Sequence, residues 1–474
     1  MDQRRAPLFE ALRRHRRRAV AGLHFPAHSG GRAAPSALRA PAGDLLGLDL
    51  TELPGLDDLS RPSGPIARAQ ALAAALYGAD RTFFLVNGST AGIQALLLAA
   101  LRPGQKLLLP RHIHRSVAAG LVLSGADPVF LPPSPEPAFG LPGAPDPATL
   151  ARALDGDPGI AACLAVHPTY HGLAGLTAEA AAVIHSRGLP LLVDEAHGPH
   201  LPFHPDMPPA ALALGADAAV QSMHKLGGAL TQASLLHMAG PRLDAGRVAR
   251  ALALLQTSSP SYILMASLDL ARRQMARRGR DLVDRAVALA GVLRERLGSA
   301  EGVEVFRARS GEQDPTKVYF SLRGYGITGY RTVRLLHRTG VEVEMGDVQG
   351  VLAVVGLGTR KEDVRRLCEE VEAIAAQRRC KSGEVPVTVP PAAGPKRMTP
   401  REAWLAPQRT VALEETAGLV AAETVSISPP GYPLILPGEQ VTPEMVEYIY
   451  EQKALGAPLA AEDVQLAALR VVDG

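Results

Sequence analysis

The run Ser222-Met223-His224-Lys225 stands downstream of Asp194-Glu195-Ala196-His197, and each run closes an apolar stretch. A lysine that can condense with an aldehyde and an aspartate that can keep a pyridine nitrogen protonated are the groups that pyridoxal 5'-phosphate most needs from a protein. Lys225 is costly to bury unless it is neutral or covalently used, and burial lowers its pKa as that chemistry requires; taken alone, Ser-x-His-Lys reads as a surface loop. Asp194 follows Leu191-Leu192-Val193, so its carboxylate falls at the carboxyl end of a strand, where it can pair with a pyridinium or simply cap a helix. Ala196 is small enough to lie against a flat ring, and His197 completes the same turn of cofactor-binding candidates.

Gly88-Ser89-Thr90 separates an apolar run from a helical one, so free backbone N–H groups and two hydroxyls meet at a helix N-terminus. That is a phosphate cradle, although serine and threonine are also ordinary caps. Ser222 and His224, beside the lysine, can add contacts to the same phosphate. His114, in Arg111-His112-Ile113-His114-Arg115-Ser116, can stack on the cofactor or cap a helix, and the sequence leaves both open. Lys225, Asp194 and His114 are the catalytic candidates. His197, His200 and His204 are closely spaced, but Pro199, Pro202 and Pro205 break any helix that would align them, and no metal is expected. The letters Asp-Glu-Ala-His also occur in NTPases, which need a phosphate loop ending in Gly-Lys; no Gly-Lys pair occurs in the chain.

These groups need a scaffold, and the hydrophobic pattern predicts one. Strands are expected at 82–86, 106–110, 128–131, 160–166, 189–194 and 216–221, with helices such as 90–101 and 177–187 between them. Such alternation is the signature of a parallel sheet covered on both faces, where ligands collect at the strands' carboxyl ends. A long helical region over 247–297, broken at Ser258-Ser259-Pro260-Ser261, leads to a small α+β unit. Its strands are expected at 303–306, 317–322, 341–344 and 351–355, and its helices at 330–338 and 361–376. The domain plan is an N-terminal arm at 1–60, a cofactor-binding domain at 61–298, the small domain at 299–380, a linker at 381–400 and a C-terminal domain at 401–474.

The bulk properties narrow the function class. A chain of 474 residues is too long for one ordinary core, and a net charge of +3 gives no case for a nucleic-acid partner. Arg13, Arg14, Arg16, Arg17 and Arg18 read as a solvated helix face. No apolar run is long enough for a membrane span, and 19–23 is too short for a signal core, so a cytoplasmic setting is expected. Three widely spaced cysteines, Cys163, Cys368 and Cys380, suit a reducing compartment and buried thiols.

Taken together the motifs resemble the ornithine/lysine/arginine decarboxylases of pyridoxal phosphate fold type I, the aspartate aminotransferase-like fold, in the short form without the extra N-terminal domain of the large inducible enzymes. The resemblance runs through Pro7-Leu8-Phe9-Glu10-Ala11-Leu12, Glu52-Leu53-Pro54-Gly55-Leu56-Asp57-Asp58-Leu59, Asn87-Gly88-Ser89-Thr90-Ala91-Gly92 and His167-Pro168-Thr169-Tyr170. It continues through Asp194-Glu195-Ala196-His197-Gly198, Ser222 to Lys225, Leu230-Thr231-Gln232-Ala233-Ser234, Ser258 to Tyr262, Met265-Ala266-Ser267-Leu268-Asp269 and Pro437-Gly438-Glu439.

The resemblance implies a cofactor linked to Lys225, Asp194 on the ring nitrogen, His114 stacked on the ring, and Ser89, Thr90, Ser222 and His224 around the phosphate. It implies release of CO₂ from a basic amino acid to give a polyamine or its precursor. It also implies a homodimer or larger homo-oligomer with active sites at the interface, Thr257-Ser258-Ser259 or residues 25–31 reaching across. Other reactions on the same scaffold, such as transamination, aldol cleavage or elimination, and a silent cofactor-binding relative, are the alternatives. The departures lie near the site: Leu226-Gly227-Gly228 after the lysine, Pro26-Ala27-His28-Ser29-Gly30, His171 after Tyr170, and Ser428 before the proline pair. The glycine pair is expected to loosen the loop after Lys225. Glu342, Glu344 and Asp347 are candidates for holding a distal cation.

Overall fold

The protein is described from a computed structural model covering residues 1–18, 21–132, 134–377, 385, 390–427 and 431–473. Cys380, Ser428 and residues 381–384 and 386–389 of the expected linker lie outside the described residues. Helices α1 (Pro7–Arg16), α2 (Ser36–Ala42) and α3 (Pro65–Tyr77) come first. Proline opens both α1 and α3, where its missing N–H costs nothing.

The chain then alternates as β1 (Arg81–Leu85), α4 (Gly88–Ala100), β2 (Lys106–Leu109), α5 (Arg115–Ser124), β3 (Asp127–Phe130), α6 (Pro147–Gly156) and β4 (Ile160–Val166). It continues through α7 (Ala178–His185), β5 (Leu191–Asp194), β6 (Ala218–Gln221), α8 (Met223–Leu226) and β7 (Ser234–Met238). The seven strands form one sheet in the order β1-β7-β6-β5-β4-β2-β3. Only β7 runs against its neighbours, β1 and β6. The sequence pattern locates the six parallel strands but not β7. Ser234 and His237 interrupt its apolar run, and His237 is fully buried because Thr82 Oγ1 and Gln221 Oε1 bond its ring at 2.7 and 3.1 Å.

Successive residues of each strand face opposite sides, and both sides are covered. Leu107, Leu109 and Leu192 pack under α4 and α5, with Ile93, Leu97, Val117 and Leu121. Leu108, Leu191 and Val193 point the other way, onto Leu150 of α6 and Ile184 of α7. Under β1 and β7 a third cluster brings in α1 and α3.

Helix α9 (Ala245–Leu255) is separated by the expected break from α10 (Tyr262–Ser299), which Ser261 caps by accepting the Leu264 N–H at 3.3 Å. The small unit holds β8 (Glu304–Val305), β9 (Lys317–Ser321), α11 (Gly329–Arg338), β10 (Met345–Gly346), β11 (Val351–Val354) and α12 (Lys361–Ala376). Its antiparallel sheet runs β10-β11-β9-β8. The expected strand at 341–344 is displaced to Met345–Gly346, because Glu342 turns out to His337 at 2.6 Å and only the Glu344 N–H reaches Leu352 O, at 3.1 Å.

The last elements are α13 (Pro400–Leu405), β12 (Gln408–Ala412), β13 (Val425–Ile427), β14 (Tyr432–Ile435), α14 (Pro443–Leu455), β15 (Leu459–Ala460) and β16 (Ala468–Val472). They have their own apolar core, around Leu413, Ile435, Ile449 and Leu469. A buried clamp fixes this unit to the large sheet: Arg111, after β2, donates to Glu439 at 2.5 and 2.8 Å and to Leu434 O at 2.8 Å. The clamp brings β14 over the sheet's carboxyl edge. No helix among the described residues is long and apolar enough to cross a membrane.

Candidate active site

The turns after β1, β2, β4, β5 and β6 open into one cavity of about 310 Å³. Gly88, Ser89 and Thr90 arrive from β1, His114 from β2, Asp194, Ala196 and His197 from β5, and Ser222, His224 and Lys225 from β6; all ten line it. Tyr170 after β4 and Tyr432 of β14 line it too, with His112. The sequence assigned no role to these last three. Tyr432 belongs to a unit whose docking on the sheet leaves no local signal in the sequence.

The floor at the start of α4 is made of hydroxyls. Ser89 Oγ is 2.7 Å from Ser222 Oγ and 3.2 Å from Ser234 Oγ. Gly88 has φ +72°, a left-handed conformation that favours glycine, and a Cβ there would meet nothing within 4 Å. Asn87 caps α4 without a side-chain hydrogen bond to the helix, so the helix's opening N–H groups are left for another acceptor. This donor set fits a phosphate.

His114 is itself the N-cap of α5: its Nδ1 accepts the Ser116 N–H at 3.2 Å and the Ser116 hydroxyl at 2.8 Å. The capping reading therefore holds, and the capping bond fixes a ring that lines the cavity. Burial pushes its pKa below the ordinary value, against the pull of Asp194. Asp194 is buried and accepts the Ala196 N–H at 3.1 Å. The next residue, Glu195, faces away from this chemistry. It accepts from Ala211 N–H at 2.7 Å and Gln221 Nε2 at 2.9 Å, and burial raises its carboxyl to about 7.

Lys225 lies on the short helix α8, its Nζ 3.0 Å from His197 Nε2. Burial lowers its pKa, opposed by Asp194 and Glu344, which favours the nucleophilic amine. The loop behind it is not loose. Gly227 donates its N–H to Met223 O at 3.0 Å, and a Cβ on it would sit 2.6 Å from Met223 Cε. Gly228 follows at φ +83°. The glycine pair is thus demanded by close packing and by a left-handed turn, which corrects the expectation of flexibility.

The three small-domain acids separate. Glu342 bonds His337 at the exposed surface, and Asp347 accepts from Tyr319 at 2.7 Å and from two backbone N–H groups at 2.8 Å. Glu344 alone reaches the site, accepting the Tyr170 hydroxyl. Two buried polar atoms of the cavity wall are unspent: His112 Nε2 has no hydrogen-bond partner, and the Tyr432 hydroxyl lies by the Tyr170 backbone without a well-aligned bond. Unsatisfied buried groups of this kind, on a cavity wall, are groups for a ligand. Among the described residues no cluster of His, Cys, Asp or Glu is set up for a metal.

Residues 6–324 match the family description "Orn/Lys/Arg decarboxylase, major domain", and residues 391–457 match "Orn/Lys/Arg decarboxylase, C-terminal domain". The chain is similar to the arginine decarboxylase of Bacillus subtilis (strain 168), 36% identical over 487 residues that cover 100% of this chain and 99% of that protein. It is similarly 36% identical to the arginine decarboxylase of Halalkalibacterium halodurans, over 99% of this chain and 98% of the other. Among solved structures, the constitutive lysine decarboxylase of Escherichia coli superposes with a TM-score of 0.85 at 20% identity, covering 100% of this chain and 82% of that one.

Proposed function

The chain belongs to the Orn/Lys/Arg decarboxylase family, and from that premise we propose that it releases CO₂ from arginine with pyridoxal 5'-phosphate held on Lys225. That it is a decarboxylase of a basic amino acid follows from the family and from relatives matched along their whole length. The observation carrying the site reading is the convergence of Lys225, Asp194 and the Ser89–Ser222 hydroxyl pair on one cavity.

The residues divide the work as follows. The opening of α4, with Ser89, Ser222 and His224, holds the phosphate. Asp194 keeps the ring nitrogen protonated, a pairing strengthened by its burial. His114, its ring fixed by Ser116, limits how the flat group can tilt. When bound, the cofactor supplies an electron sink for the pair left behind as CO₂ departs. Lys225 would provide the amine on which the group is held, and its Nζ could return a proton to the α-carbon. The Glu344 carboxylate, on the Tyr170 hydroxyl at the cavity's edge, is placed to receive a distal guanidinium, a pairing that favours planar two-point contact.

The reading includes a cytoplasmic homodimer. Leu23 and Phe25 are 100% and 78% exposed, an unusual position for large apolar side chains on an arm expected to reach a partner. Thr257 donates its N–H to Asn87 Oδ1 at 3.2 Å, so the Ser258-Ser259 turn stands at the cavity's rim. Incubating the protein and pyridoxal phosphate separately with arginine, lysine and ornithine, and measuring CO₂ and amine, tests the reaction. Arginine is expected to give the most amine; keto acid in place of amine refutes decarboxylation. Lys225→Ala is expected to lose the absorbance of lysine-bound cofactor, and its retention would overturn the assignment. Sedimentation as a monomer would overturn the dimer.

A further inference from the structure

Lys317 opens β9, and its side chain is completely buried. Nothing in the sequence singled it out. Its stem passes Gly172, where a Cβ would stand 3.0 Å from Lys317 Cδ. Its Nζ ends 2.8 Å from Tyr170 O and 2.8 Å from His197 Nδ1, and the other nitrogen of that ring is 3.0 Å from Lys225 Nζ. Two buried lysines are thus joined by one imidazole. Among the described residues no carboxylate lies within ion-pair distance of Lys317, so the ring is its principal side-chain partner.

Hydrogen-bond roles along this row are linked. If Lys317 donates to Nδ1, the ring carries its proton on Nε2 and donates to Lys225, which must then be a neutral amine. If Lys225 is the ammonium and donates to Nε2, the ring's proton is on Nδ1 and Lys317 must be the neutral amine. The two arrangements hold the same protons and differ in which lysine carries the extra one, and two ammonium groups facing across one ring would repel.

We propose that Lys317 is a positioning residue that stores the proton of Lys225 and exchanges it through His197. In the exchange the Lys317 Nζ–H and His197 Nε2–H bonds break while the His197 Nδ1–H and Lys225 Nζ–H bonds form. Each electron pair stays on its nitrogen, one proton moves from one lysine to the other, and nothing is oxidised or reduced. With the proton on Lys317, Lys225 is the free amine that captures the cofactor. With the proton passed across, Lys225 holds what the α-carbon must receive.

The surroundings support the exchange. Burial, opposed by Asp314 and Glu344 and reinforced by Lys225, brings Lys317 down to about 7. Lys225 is lowered by burial against Asp194 and Glu344. His197 is held well below the ordinary histidine value by burial and by both lysines, with His114 and His200 adding to it, so the ring passes a proton without retaining charge. Asp314 is spoken for: His200 holds it at 3.0 Å and Thr316 at 2.6 Å.

This inference rests on Lys225 being the cofactor lysine, and the test separates the two. The rate at which apoprotein captures pyridoxal phosphate is followed by absorbance across pH, with Lys225→Ala as the reference. In Lys317→Met the stored charge is gone, so Lys225 keeps its own proton. Its capture profile should move at least one pH unit toward alkaline, a rate at least tenfold lower at neutral pH. Lys317→Arg keeps the charge but cannot release a proton. It should capture at the wild-type rate yet lose at least tenfold in kcat. His197→Gln keeps a donor and an acceptor face without passing a proton and should likewise lose at least tenfold in kcat, which carries the test if a lysine variant does not fold. An unshifted profile in Lys317→Met, or full turnover in Lys317→Arg or His197→Gln, overturns the inference. Capture by Lys225→Ala would instead overturn the site reading beneath it.

Discussion

Replacing Arg272 by methionine should release the N-terminal helix. Arg272 and Asp269 are both fully buried and lie 2.8 Å apart on α10. The guanidinium also donates to Gln3 O and Gln3 Oε1, each at 2.9 Å, and to Arg5 O at 2.5 Å. Asp269 uses its other oxygen for the N–H groups of Leu8 and Phe9, at 2.9 and 3.4 Å. The pair therefore ties the start of α1 to the bridge between the two larger units. Methionine fits the apolar surroundings but leaves a buried carboxylate without its cation and three carbonyl oxygens without a donor, a change that costs about 3–5 kcal/mol. At about 1.4 kcal/mol per factor of ten, amide exchange in α1 should accelerate by roughly two to three and a half powers of ten.

The loss carries a sign in pH. Burial raises the Asp269 carboxyl and Arg272 draws it back, so removing Arg272 raises it further. A carboxyl raised in the folded state holds its proton more tightly than the unfolded chain does. Stability is then lost as pH rises from the unfolded value of about 4 toward the folded one. Arg272→Met should accordingly be damaged less at pH 5 than at pH 8, and adding Asp269→Asn should recover part of the loss by removing the unpaired charge. Hydrogen exchange of α1 at both pH values measures this. A loss under about 1 kcal/mol, or an equal loss at both pH values, refutes the reasoning.

Three shorter predictions concern the site. Gly228→Ala forces a side chain into φ +83° with its Cβ 3.3 Å from Gln274 Nε2, and should cost about 1–2 kcal/mol in urea unfolding; an unchanged midpoint would mean the loop relaxes freely. Ser222→Ala removes the hydroxyl 2.7 Å from Ser89 Oγ, and equilibrium dialysis should show pyridoxal phosphate bound about 10–100-fold more weakly; undiminished affinity would place the phosphate elsewhere. Tyr432→Phe deletes a buried hydroxyl that lacks a well-aligned bond, so unfolding should shift by less than about 0.5 kcal/mol while KM for arginine rises; a marked loss of stability would show that the hydroxyl serves the fold.

Much of the scaffold is legible because burial on two faces forces continuous apolar strands. Ile160–Val166 and Lys361–Ala376 fall where the pattern puts them. Strand β7 is not legible, since its buried Ser234 and His237 are tolerable only through partners on β1, β6 and α4. The strand expected at 341–344 fails for the opposite reason: alternation alone cannot tell that Glu342 prefers an exposed histidine to a ladder.

The same division runs through the site. Ten residues in four short motifs could be named from the sequence, because strand-end turns in a parallel sheet must face one crevice and the residue types there are chemically distinctive. By itself the sequence determined the class of chemistry and the family it resembles. The tertiary structure decided which side chains complete the cavity. Tyr432 and Glu344 arrive from other units, and Lys317 meets Lys225 only because His197 stands between them. Those meetings depend on how separate units dock, and docking is set by long-range packing and buried clamps such as Arg111–Glu439, which no local pattern of residues encodes.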